Sequence, residues 1–113
     1  MKLPGAERAV VDIRKLRDYC LDPNSPKGRS KARVLASTLG LTKSDADFLR
    51  EALLRAAWEM ECVAGEADEY GRRYTLDFEL RTALGERRIR SGWIVREGEV
   101  FHRLTTCYVL KAR

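Results

Sequence analysis

Residues 74–81 read YTLDFELR, with Tyr74, Leu76, Phe78 and Leu80 alternating with Thr75, Asp77, Glu79 and Arg81. A period of two puts the first set on one face of an extended chain and the second on the other, the pattern of a half-buried strand. Upstream of Gly65 the period is helical instead. In VDIRKLRDYCL (11–21), Ile13, Leu16, Tyr19 and Cys20 recur at helical spacing behind Asp12, a suitable N-cap. A second helix is expected over 31–39, capped by Ser30, with Ala32, Leu35, Ala36 and Leu39 on one face and Gly40 just past its end. A third, over 45–61, starts at Ser44 with Asp47 in the capping-box position. Its apolar stripe is Phe48, Leu49, Ala52, Leu53, Ala56 and Ala57.

Downstream of YTLDFELR, residues 83–86 read as a turn and 87–96 as a second strand. Glu97-Gly98 is the next turn, and 99–110 is a third strand. A short extra strand near 62–66 completes the expectation. Helices followed by a meander make an α+β protein, with about three N-terminal helices packed on one face of a C-terminal antiparallel sheet of three to four strands. The chain is a single domain over 1–113, with 1–9 a loose arm, 10–62 helical and 63–113 sheet.

A four-residue loop at 83–86 and a two-residue loop at 97–98 would set Leu80 against Ile89, Leu76 against Trp93 and Ser91 against Leu104. On the opposite face Glu79, Arg90 and Thr105 would form one row, and Asp77, Gly92 and Arg103 the next. Arg81 would pair with Arg88 at the edge, and the dent at Gly92 would let Asp77 meet Arg103. Strict alternation turns His102 and Tyr108 toward the core unless the strand bulges.

The net charge of +5 is unevenly spread. Residues 1–43 balance at +6, 44–71 at −6 and 72–113 at +5. Such polarity suits a polyanion on the basic side or a protein partner on the acidic one. LDPNSPKGRSKAR (21–33) crowds Lys27, Arg29, Lys31 and Arg33 at the start of a helix, where cations are unfavourable and an anion is welcome. Lys27, Arg29, Lys31, Arg33, Arg88 and Arg90 are the candidate nucleic-acid contacts. Guanidinium forks on the open sheet face, Arg88, Arg90 and Arg103, match phosphate oxygens, and Thr105 adds a hydroxyl.

Other chemistries are excluded or disfavoured. There is no Walker A loop, because Gly28 is followed by Arg29-Ser30 with no glycine five residues earlier. Three well-separated cysteines without a C-x-x-C, and one histidine, argue for reduced thiols and against a metal site. No cofactor is expected. The lone His102 rules out a two-histidine ribonuclease mechanism within one chain. No apolar run reaches the roughly 20 residues of a membrane span. MKLPGAERAV shows no secretory h-region, so a cytoplasmic protein is expected, or a domain delivered within a larger secreted or phage protein.

KLRDYCLDPNSPKGRSKARVLASTLGL (15–41), DEYGRRYTLDFEL (68–80) and RSGWIVREGEVFHRLTTCYVL (90–110) resemble an uncharacterised bacterial domain family. Its pattern reads K-L-x-x-Y-L-L-N-P-x-H-P-x-G-x-x-K-A, then Y-G-x-x-Y, a tryptophan strand, and L-x-T-x-Y. Such domains stand alone or are fused to phage-head or secreted toxin proteins. By analogy of fold and context the family is similar to the barnase, EndoU and RelE-like ribonucleases. The resemblance falls on Tyr19, Pro23, Pro26, Gly28, Lys31, Tyr70, Gly71, Tyr74, Trp93, Leu104, Thr105 and Tyr108; the family histidine before the second proline is Ser25 here. The ribonuclease analogy implies metal-independent RNA cleavage, and the residues read above would fill its roles, with Arg90 and Arg103 as phosphate clamps, Thr105 as a donor, Lys31 as electrostatic partner or acid/base, and Tyr108 or His102 as proton carrier. Two alternatives stand beside it. One is a non-catalytic nucleic-acid-binding module. The other is a protein-interaction domain of immunity or scaffold type, meeting a cognate partner through the acidic helix 45–61. The oligomeric state is left open.

Overall fold

The computed structural model describes residues 1–111. Helix α1 (Ile13–Lys15) runs into a π turn, Leu16–Cys20, and is followed by α2 (Arg29–Leu39) and α3 (Ala46–Glu59). Strands β1 (Val63–Asp68), β2 (Gly71–Thr82), β3 (Gly85–Arg96) and β4 (Arg103–Val109) form one antiparallel sheet in the order β1-β2-β3-β4. This is the expected α+β meander, with the extra strand present as exposed edge strand β1.

The caps follow local chemistry and correct the expectation in two places. Asp12 accepts from the Arg14 backbone N–H at 3.0 Å and starts α1 as foreseen. Helix α2 starts earlier than Ser30: the Ser25 hydroxyl accepts from Gly28 N–H at 3.2 Å and its carbonyl from Arg29 N–H at 2.9 Å. Gly40 ends α2 at φ 70°, a left-handed conformation that glycine adopts without cost. Helix α3 is entered through a 3₁₀ turn, Lys43–Asp45, whose Asp45 carboxylate accepts from Thr42 N–H at 2.9 Å. The capping pair is therefore Thr42/Asp45 rather than Ser44/Asp47.

The core forms as the period-two pattern requires. Tyr74, Leu76, Phe78, Leu80, Ile89 and Trp93 are buried under Leu16, Leu35, Leu39, Leu49 and Leu53 of the helical layer. Phe48 is exposed, because α3 turns Leu49, Leu53, Ala56 and Ala57 inward instead. The N-terminal segment is docked rather than loose: Leu3 is buried, Cys62 N–H donates to the Met1 carbonyl at 2.6 Å, and Val10 bridges β4 in parallel at Arg103.

The β2–β3 loop is two residues long, Thr82 pairing with Gly85. Every partner therefore shifts by two positions, setting Phe78 opposite Ile89, Leu76 opposite Ser91 and Tyr74 opposite Trp93. A shift of two preserves parity, so each side chain keeps its expected face. Along β4 the parity changes. Gly92 pairs with Thr106, but Trp93 pairs with Leu104, leaving Thr105 as an extra residue. This bulge keeps Leu104 inward, turns Cys107 inward where strict alternation sets it on the open face, and moves Tyr108 to the open face, opposite Arg90.

His102 is fully buried against the sheet, its ring 4.8 Å from that of Tyr74 in an edge-on arrangement. The Pro4 carbonyl faces the ring, but neither nitrogen makes a well-formed hydrogen bond. Burial holds the imidazole below its ordinary value of 6.5. The folded state keeps His102 neutral while the unfolded chain takes up a proton. Stability from this residue is therefore present above about pH 6.5 and is lost as pH falls toward the lower folded value, at up to about 1.4 kcal/mol per pH unit. Urea midpoints between neutral and mildly acidic pH are expected to fall in the wild type, and to fall less steeply in His102→Gln.

Candidate functional site

The Pro-rich loop is folded onto itself before it reaches α2. Asp22 accepts from the Asn24 backbone N–H at 2.9 Å, and Ser25 caps the helix start. Gly28 then presses against the end of the π turn, where any side chain would collide with the Tyr19 carbonyl. That close approach brings Lys31, one helical turn on, to the Tyr19 side chain.

Lys31 Nζ donates to Tyr19 Oη at 3.0 Å and to Thr106 Oγ1 at 3.2 Å. It also lies 5.4 Å from the Tyr19 ring centroid and 5.2 Å from that of Tyr108, within cation–π range of both. Among the described residues Lys31 has no carboxylate partner, so two phenols and a threonine hydroxyl hold a net positive charge in a half-buried position. Thr105, the bulge residue, projects beside them. Its Oγ1 fills the dent at Gly92, 2.9 Å from where a Cβ would stand. Tyr19, Thr105, Lys27, Lys15, Asp12 and Asp18 line an open cavity of about 560 Å³ beside the cluster, together with Arg14.

The Tyr19 phenol is held below its usual value of 10.0, first by the Lys31 hydrogen bond, with burial opposing. Beneath the cluster lie the free, buried thiols of Cys20 and Cys107. Hydrogen bonding between the two thiols pushes the Cys107 thiol up, and burial adds to it.

The sheet arginines are paired. Arg90 makes two 2.9 Å hydrogen bonds to Asp77, which raise its pKa, with a further contribution from the Tyr108 hydroxyl. Arg88 Nη1 bonds Glu79 at 3.0 Å. Arg103 is held by Glu99 at 3.0 and 2.8 Å and lies 5.0 Å from the Phe101 ring. The expected pairing of Asp77 with Arg103 across Gly92 is thus replaced by Asp77 with Arg90, because the two-residue loop sets these directly opposite. Exposed pairs of this kind contribute at most about 1 kcal/mol each, but they offset the positive charge of all three arginines.

The structure accordingly gathers only some of the residues expected to act together. Lys31 and Tyr108 converge, with Arg90 next in line through Tyr108, while Thr105 reaches only the cavity beside Tyr19 and its neighbour Thr106 holds Lys31. Arg103 pairs with Ile94, four residues along β3 from Arg90, or about 13 Å at the usual strand rise. His102 is sealed in the core and meets none of them. Lys27 reaches the cavity beside Tyr19. Arg29 and Arg33, two residues either side of Lys31, lie roughly 160° around α2 from it, and Arg33 lines a separate groove with Pro23 and Thr42. Tyr19, Thr106 and Asp77 are the participants that reading for cations overlooked. The signal for Tyr19 was its place in the K-L-x-x-Y pattern ahead of G-x-x-K.

Among the described residues no group of three histidine, cysteine or acidic side chains is arranged to hold a metal ion, and no helix is long and apolar enough to cross a membrane. Chemically, the cluster offers an ammonium held by hydroxyl groups and flanked by two phenol rings.

No curated protein matches the sequence. Among solved structures, a chain of the contact-dependent growth inhibition toxin–immunity protein complex from Klebsiella pneumoniae 342 has the same fold, with a TM-score of 0.69, 17% identity, and coverage of 89% of this chain and 99% of that one. A family profile spans residues 2–111, nearly the whole domain, including the Tyr19–Gly28–Lys31 motif and the β4 bulge, and the chain thus belongs to the family described as Domain of unknown function (DUF6883).

Proposed function

We propose that this domain is a toxin-like RNA-cleaving domain that seats a phosphodiester at Lys31. The observation that carries the reading is the half-buried Lys31 ammonium, held by Tyr19 and Thr106 and unneutralised by any carboxylate among the described residues. A phosphate there would take the remaining N–H of Lys31 and a hydrogen bond from Thr105, with Tyr108 holding the ammonium in place and Arg90 behind it. Cleavage would use groups on the chain itself, so no cofactor is required by this reading. RNA as a target places the action in a cytoplasm. The fold shared with a chain from a toxin–immunity complex suits either member of such a pair and leaves the chemistry to the site.

A second reading is favoured by a separate observation. Pairing of Arg88, Arg90 and Arg103 with acidic neighbours leaves the sheet face nearly neutral, which suits a domain that binds a protein, as either member of a toxin–immunity pair does. The acidic stretch 45–61, which contains α3, would be its working surface.

Cleavage of end-labelled bulk RNA in the presence of EDTA decides between them. Specific cleavage is expected. A salt-sensitive gel shift without cleavage would reduce the site to a nucleic-acid-binding surface. Neither signal would sink the RNA reading and leave the protein-interaction one.

A further inference from the structure

We infer that Tyr19 and Lys31 form a self-resetting proton-transfer dyad, with Tyr19 Oη the base toward a ribose 2′-hydroxyl and Lys31 Nζ the acid toward the leaving oxygen. The inference rests on the RNA-cleaving reading and assigns its proton carriers. It departs from the sequence expectation, in which Tyr108 or His102 carried a proton.

The geometry is specific to this pair. Tyr19 Oη and Lys31 Nζ are 3.0 Å apart, a direct hydrogen bond with no intervening group. Tyr19 lines the open cavity with Thr105, and Lys31, bonded to its hydroxyl, lines a second cavity with Tyr108, so the pair spans the two. Thr106 Oγ1 and the two aromatic rings fix the ammonium on the sheet side. Tyr108 lies against Lys31 through its ring, and its hydroxyl is engaged toward Arg90, which raises the Arg90 pKa further. Tyr108 shares a cavity with Lys31, but the engagement of its hydroxyl toward Arg90 leaves Tyr19 as the phenol whose hydroxyl is bonded to the ammonium.

The step balances without an outside reactant. Tyr19, as phenolate, takes the proton of the 2′-hydroxyl. The O2′–P bond forms, the P–O5′ bond breaks, and its electron pair goes to O5′. The Lys31 ammonium gives O5′ a proton. Products are a 2′,3′-cyclic phosphate and a 5′-hydroxyl. The Tyr19 hydroxyl then returns its proton across the 3.0 Å hydrogen bond to the Lys31 amine, restoring the starting pair.

The charged and titratable surroundings favour the phenolate. Lys31 and Lys27 face Tyr19 from α2 and its leading loop, and Lys15 lies on its own helix. Asp12 and Asp18 oppose them but are bonded to Arg14 and Arg17. Cys20 and, from β4, Cys107 and Tyr108 complete the shell. Of these, the Lys31 hydrogen bond is the largest influence, and it holds the phenol below 10.0. Cleavage should therefore rise with pH above neutrality and level off below that value.

The test combines pH–rate profiles with ultraviolet phenolate titration of wild type, Tyr19→Phe, Lys31→Met and Lys31→Arg. In the wild type Tyr19 should titrate below the ordinary tyrosine value. That titration should vanish in Tyr19→Phe, move up in Lys31→Met, and stay depressed in Lys31→Arg, whose guanidinium is a cation that holds its proton. Tyr19→Phe should lose about 10²-fold or more in kcat, with KM little changed. A Tyr19→Phe variant with wild-type rate and pH profile would overturn the dyad and leave cleavage at Lys31 standing. A wild type that cleaves no RNA would overturn the cleavage reading itself, and the dyad with it.

Discussion

Lys31→Met is expected to reduce RNA cleavage by about 10²–10⁴-fold, the range set by removing one positioned acid–base group. Methionine keeps much of the length and the apolar stem while deleting the charge. The loss should fall on kcat/KM, because the ammonium both attracts the phosphate and supplies the proton. Folding should survive. Tyr19 and Thr106 are half-buried, so water can replace the Lys31 N–H groups at their oxygens. An unfolding free energy from urea titration within about 1 kcal/mol of wild type, measured on the same preparation, separates lost chemistry from lost structure. Wild-type cleavage by Lys31→Met would remove the cluster from the mechanism.

Trp93→Ala is expected to cost about 3–5 kcal/mol, the range for truncating a fully buried aromatic side chain. Trp93 is 1% exposed at the centre of β3, opposite Tyr74 on one side and Leu104 on the other. Its indole N–H donates to Ser91 Oγ at 2.9 Å, and that hydroxyl donates to the Leu76 carbonyl at 2.8 Å. The substitution leaves a cavity under the helices and deprives the Ser91 hydroxyl of its donor. Against a total stability of about 5–15 kcal/mol, such a loss brings the domain near its folding limit. Circular dichroism in urea checks it. Trp93→Phe should cost less, because the ring volume is largely kept and only the relay is cut. Trp58 offers a contrast: at 61% exposure on α3, its truncation should change stability by less than about 1 kcal/mol.

Local pattern carried the layer architecture. The alternation in 74–81 assigned Tyr74, Leu76, Phe78 and Leu80 to the core, and all four are buried. That assignment tolerated a wrong loop length, because a two-residue error shifts partners without changing faces. The partners themselves were lost: whether Asp77 meets Arg90 or Arg103 depends on loop closure at Ala83-Leu84, and several turn geometries suit those residues. The β4 bulge was illegible for a related reason. Thr105 and Thr106 are adjacent residues of the same kind, either of which fits either face, so nothing in their order marks which one is extra.

The candidate site divides along the same line. Lys31, Thr105 and Tyr108 could be named from residue type and family pattern, and the cation-rich start of α2 asked for an anion. What residue order alone determined was therefore the sequence of elements, the buried face of each, and a short list of chemically able side chains. Tertiary structure alone decided which of them meet. The collision that any side chain at Gly28 would make with the Tyr19 carbonyl sets the approach of α2, and the bulge at Thr105 sets the direction of Tyr108. Both are contacts between different elements of the chain, and hydrophobic periodicity, which reports only on the faces of a single element, carries no information about them.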